Sequence, residues 1–200
     1  LPTGQRDLAL LLADKRIGQG VLDYSPGMLD WATGWLGNAV LVNGKVSPVA
    51  TVEPAVLRLR LLNGSNARIL NPALSDGRMF WLIGTDGGLL EAPVAVRSVL
   101  LAPGERVEVL LDLTRDGGTS VGFVSAPFSG AGSSMMGGGS GAPAQGAGFD
   151  LMRFNVSAPP ASNAGLIPTT FAPIVRYDPN LAAQSTRVSE LTGMTGRGGL

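Results

Sequence analysis

The chain is 200 residues long and 44% hydrophobic, and its fifteen basic residues balance fifteen acidic ones. It contains no His and no Cys, which removes tetrahedral zinc sites, blue-copper His/Cys sites, Ser-His-Asp triads and thiol nucleophiles from the chemistry it supplies by itself. Balanced charge without a run of Lys or Arg argues against nucleic acid or an anionic membrane as partner. No stretch approaches the roughly 18 apolar residues of a membrane-spanning helix.

In chain order, the first predicted strand is 8–13. Residues 26–36 follow, where Met28, Leu29, Trp31 and Trp35 suit a helical turn or a packed Trp-bearing loop, the loop being the favoured reading. A strand over 39–42 leads into Asn43-Gly44, one of five Asn-Gly or Asp-Gly pairs, the others being 63–64, 76–77, 86–87 and 116–117. Such pairs accept the positive φ angles of hairpin turns and point to an antiparallel β protein. Residues 56–62 alternate, with Leu57, Leu59 and Leu61 on one face and Arg58 and Arg60 on the other, which predicts a half-buried strand. Strands over 69–74, 79–83 and 99–101 come next. After the turn-like Pro103-Gly104, residues 106–111 repeat the alternation with Val107, Val109 and Leu111 inward and Arg106 and Glu108 outward. The last strands are 121–125 and 151–156. Short strands separated by turns, with little helical periodicity, predict an all-β sandwich over 1–156. The Gly/Ser/Ala/Pro composition of 130–148 predicts a flexible loop, and Pro-rich 157–200 an extended connector that makes few internal contacts.

Few residues offer themselves as a site. The glycines of 137–141 lack the Lys-Ser/Thr and the following helix of a phosphate cradle. Met135-Met136 supplies soft thioethers, but without further soft partners it reads as adaptable apolar contact. Asp86 and Glu105 sit at strand ends, where turn formation and pairing with Arg68 or Arg106 account for them better than acid/base catalysis. Asn63-Gly64-Ser65 and Asn155-Val156-Ser157 fit the N-glycosylation pattern, which is short. No catalytic, cofactor-binding or metal-binding residue is assigned.

Four blocks in order, Ala39-Val40-Leu41-Val42-Asn43-Gly44-Lys45, Leu57-Arg58-Leu59-Arg60-Leu61-Leu62-Asn63-Gly64-Ser65-Asn66-Ala67-Arg68, Thr85-Asp86-Gly87-Gly88-Leu89-Leu90 with Ala92-Pro93-Val94, and residues 101–112, resemble the second cupredoxin domain of multicopper oxidases. The resemblance is to the bacterial cuprous oxidase, laccase and bilirubin oxidase group, and equally to its copper-free cell-division relative. It implies a cupredoxin-like Greek-key β-sandwich that spaces two copper-bearing cupredoxin domains of the same parent, in the periplasm or outside the cell. The implied parent oxidises phenolic or metal-ion substrates and reduces dioxygen to water, with copper held by His-rich motifs of the flanking domains. The implied alternative is the middle domain of a copper-free envelope scaffold.

Overall fold

The computed structural model describes residues 1–129, 141–158 and 163–178. A 3-10 turn, Gly4–Arg6, opens the chain. The strands are β1 (Asp7–Lys15), β2 (Ile17–Gly18), β3 (Val21–Leu22), β4 (Ala39–Val42), β5 (Lys45–Val46), β6 (Val49–Val52), β7 (Val56–Asn63), β8 (Pro72–Leu74), β9 (Phe80–Thr85), β10 (Gly88–Val96), β11 (Arg106–Asp112), β12 (Ser120–Ser125) and β13 (Phe149–Val156), and helix α1 spans Met28–Thr33. They form a seven-stranded sheet ordered β10-β9-β11-β7-β1-β4-β5, a four-stranded sheet ordered β6-β13-β12-β8, and the separate pair β2-β3.

Alternation places the core between the two larger sheets. Leu57, Leu59 and Leu61 of β7 and Val107, Val109 and Leu111 of β11 are buried, and Leu12, Phe123 and Phe154 join them in one cluster. Each such side chain contributes about 1.5–3 kcal/mol by leaving water. On the opposite face of the large sheet, Arg58 pairs with Glu108 and Arg60 with Asp7.

That opposite face is not wholly solvated. Val56, Ile83 and Leu110 point to it and are almost completely buried, packed with Trp81, Ile167 and Phe171. Residues 163–178, expected to make few internal contacts, lie across it as a strap. The Val56 amide donates to the Ala164 carbonyl at 2.7 Å and the Phe171 amide to the Glu91 carbonyl at 2.8 Å. Glu91 Oε1 accepts from the Ile174 amide at 3.0 Å, and its second oxygen lies 3.3 Å from Arg176. The two backbone–backbone hydrogen bonds, from Val56 to Ala164 and from Phe171 to Glu91, explain why an aperiodic segment adheres: backbone pairing needs no side-chain period.

Other expectations change in detail. The sheets are mixed, because β1 pairs with β7 and β13 with β6 in parallel, pairings that need crossovers rather than hairpins. Of the five turn pairs only Asn43-Gly44 has both residues at positive φ, joining β4 to β5. Asn63-Gly64 is no hairpin; the Asn63 amide is buried and donates to the carbonyls of Arg68 and Leu101, both at 2.8 Å. The strand expected over 69–74 shortens to β8, and the one over 99–101 is reduced to isolated bridges. Residues 26–36 contain a helix instead of only a loop, since Asp30 Oδ2 accepts the Gly27 amide at 2.8 Å and starts the turn. Residues 130–140 of the expected flexible loop, with Met135 and Met136, lie outside the described residues, whereas 141–148 are hydrogen-bonded to the sandwich: Gln145 bridges Ala67 O and Ile69 N.

Candidate functional site

The densest polar cluster among the described residues lies where β1 ends. Leu10 and Leu12 point into the core, so period-two alternation turns Asp14 inward as well. A carboxylate there needs partners. Its Oδ2 accepts from Arg68 Nε at 2.7 Å and from the Gly37 amide at 2.6 Å, and both side chains of the ion pair are completely shielded from solvent. Arg68 also donates to the carbonyls of Gly37 at 3.0 Å and Pro143 at 3.1 Å. Gly37 is required for this closeness, since a Cβ there would stand 2.4 Å from Lys15 N.

A second pair continues the cluster outward. Arg16 grips Asp30 with both Nη atoms, at 2.7 and 3.1 Å, and donates to Leu36 O at 3.2 Å. Its guanidinium lies 3.9 Å from the centroid of the Trp35 ring, and Tyr24 packs on the same ring at 4.8 Å. Asn66 Nδ2 donates to the Tyr24 hydroxyl at 2.9 Å. The hydrogen bonds from Arg16, then that from the Gly27 amide, hold the Asp30 carboxyl below its ordinary range, and Asp30 in turn raises Arg16. Both stay charged across neutral pH, the opposite of a group tuned for proton transfer. Asp14 Oδ1 and Arg16 Nε are the buried side-chain polar atoms left without a partner among the described residues.

Together these contacts fasten 17–37, an excursion made of β2, β3 and α1, to the end of the sandwich. Its chemistry is positional. With no imidazole and no thiolate in the chain, the donor set does not fit a blue or trinuclear copper centre, and among the described residues no three of His, Cys, Asp and Glu gather as metal ligands.

The residues weighed from sequence fall elsewhere. Asp86 pairs with Arg106, whose side chain, then whose amide, lowers the Asp86 pKa. Glu105 accepts the Ala102 amide at 2.6 Å. Arg68, considered a partner for these carboxylates, instead serves Asp14. Of the two glycosylation patterns, Asn63 is sealed in the core, while Asn155 is exposed on β13 and accepts from Ser120 Oγ at 2.9 Å. Asp14 itself was missed, although the run Leu10-Leu11-Leu12-Ala13-Asp14 places it on the buried face.

No protein-family model matches the chain. It is 47% identical over 114 residues to the cell division protein FtsP of Photorhabdus laumondii, a match covering 56% of the chain and 24% of that protein. It is 41% identical over 121 residues to the multicopper oxidase mco of Staphylococcus haemolyticus, covering 60% of the chain and 27% of the relative. The chain thus spans about a quarter of the length of these relatives. Among solved structures it superposes on the laccase-like multicopper oxidase CueO of an Ochrobactrum species with TM-score 0.75 and 32% identity, over 92% of the chain and 38% of that protein. The multicopper oxidase McoA of Aquifex aeolicus gives TM-score 0.75 and 30% identity, over 91% of the chain and 38% of that protein. The two-sheet sandwich is shared over nine-tenths of the chain with part of two multicopper oxidases that it also resembles in sequence; in fold and in sequence the chain is similar to one part of the multicopper oxidases.

Proposed function

We propose that this chain is the structural middle domain of a multicopper oxidase and that it fixes the separation of two copper-bearing cupredoxin domains. One observation carries the reading: the chain corresponds to a single domain's share of a copper oxidase, 92% of itself against 38% of the solved protein, and its composition lacks the ligands that the copper sites need. The parent oxidises phenols or metal ions at a copper of one flanking domain and passes the electrons to dioxygen, which leaves as water. This domain holds no reacting atom. It supplies rigidity, through the sandwich core, and attachment, through the excursion and the strap. The periplasm or the outside of the cell is the compartment that goes with such a parent.

A second reading is favoured by the match to FtsP proteins, where identity reaches 50% over 113 residues. In that reading the parent binds no copper and acts as a scaffold in cell division. Oxygen uptake with a phenolic substrate separates the two. The full polypeptide consumes oxygen when supplied with copper and the 200-residue chain does not; an inactive, copper-free full polypeptide would favour the scaffold.

A further inference from the structure

The excursion 17–37 is held by a buried polar network, yet its outer side is apolar. Val21, Leu22, Tyr24 and Trp31 are each about two-thirds exposed or more, and Met28 is 91% exposed. Met28 and Trp31 stand three positions apart on α1, which puts them on one side of the helix. The nearby charges are already occupied: Arg16 and Asp30 by each other, and Asp23 by the Ser25 amide. The excursion therefore offers two aliphatic side chains, two aromatic ones and one thioether to its surroundings, residue types suited to an interface core.

Elsewhere Leu100, Leu166, Val175 and Tyr177 are also more than half exposed, but two other broad faces are covered or polar. The strap lies over the apolar outer face of the large sheet. The outer face of the small sheet carries Ser75, Ser120, Asp150, Arg153 and Asn155. Edge strand β10 contains Pro93, which cannot donate to a neighbour, and the strap is bonded at Glu91.

We infer that the outer side of this excursion, centred on Met28, Trp31 and Tyr24, is the seat of a flanking cupredoxin domain of the same polypeptide. This rests on the reading of the chain as one domain of a larger oxidase or scaffold. The size fits: five such side chains amount to several hundred Å² of apolar surface, about one partner's side of an inter-domain contact of roughly 600–1,500 Å² and short of the 2,000 Å² or more of an obligate homodimer. The solved relatives hold more than half of their length outside the part matched by this chain, so a protein built like them has a domain to place there. The anchor explains the rest: an apolar seat serves a fixed geometry only if its own loop does not move, and Asp14, Arg68, Arg16 and Asp30 hold that loop at both ends.

Hydroxyl-radical footprinting read by mass spectrometry tests this, because Met28, Trp31 and Tyr24 are readily oxidised. In the 200-residue chain they react quickly, and in the full polypeptide encoded by its gene they react several-fold more slowly. Equal rates in the two would overturn the seat while leaving the multidomain reading standing. A gene encoding no further cupredoxin domain would overturn that reading instead. Protection that grows with the concentration of the 200-residue chain alone would assign the surface to a second copy and overturn the proposal. Joint substitution Met28→Ser and Trp31→Ser, both on exposed side chains, leaves the unfolding midpoint of the short chain unchanged and restores fast oxidation of Tyr24 in the full polypeptide; continued protection of Tyr24 there would contradict the assignment.

Discussion

Asp14 and Arg68 are an ion pair with no exposure to solvent, and such pairs behave asymmetrically. Removing one partner leaves an uncompensated buried charge, at a cost of about 3–5 kcal/mol, while removing both for apolar groups is far milder. Arg68→Leu is expected to lose stability of that order in urea unfolding, and Asp14→Leu with Arg68→Leu to recover a large part. Additive losses would mean that the two charges do not act as a pair. Gly37 belongs to the same argument. Gly37→Ala drives a methyl into the Lys15 backbone and is expected to raise hydrogen exchange across 17–37 more than across β7, since the clash sits at the excursion's root. Asp30 has a pKa below its ordinary value, so its stabilising effect is complete above the unfolded value of about 3.9 and disappears as the pH falls through the lowered folded value. In acid the excursion is expected to loosen before the sandwich unfolds. At this scale the sequence was partly readable: the alternation of β1 places Asp14 inward, but nothing in the chain identifies Arg68, fifty-four residues away, as its partner.

The strap and the excursion show where element-level reading succeeds and where it stops. Strict alternation in β7 and β11 located the core face without error, because one face buried is enough to fix register. It treated the other face as solvent and so passed over Val56 and Leu110, whose burial depends on Ile167 and Phe171 from a segment with no period to recognise. Glu91 is the strap's main polar fastening. The hydrogen bond from the Ile174 amide, then Arg176, lowers its pKa; the fastening is therefore complete above the ordinary value of about 4.3 and fails as the pH falls through the lowered one. Glu91→Gln keeps an acceptor but loses the charge facing Arg176, and is expected to speed proteolytic cleavage within 163–178 at neutral pH with the unfolding midpoint of the sandwich nearly unchanged. Cleavage that stays as slow as in the parent chain would show that the apolar contacts alone hold the strap.

For the whole molecule, the resemblance carried by sequence blocks between residues 39 and 112 extends in structure to nine-tenths of the chain. Parallel neighbours such as β1 with β7 stayed hidden, since local alternation says which face is buried and not which strand lies alongside. The proposed role as a spacer accords with a composition that cannot build a blue site, which needs a thiolate and two imidazoles; neither group occurs in the sequence. Copper titration followed by visible absorption addresses that role directly, with the 200-residue chain and the full polypeptide measured side by side. The account predicts an intense thiolate-to-copper band from the full polypeptide and none from the chain at any copper concentration; a blue chain, or a full polypeptide that stays colourless and takes up no copper, would contradict it.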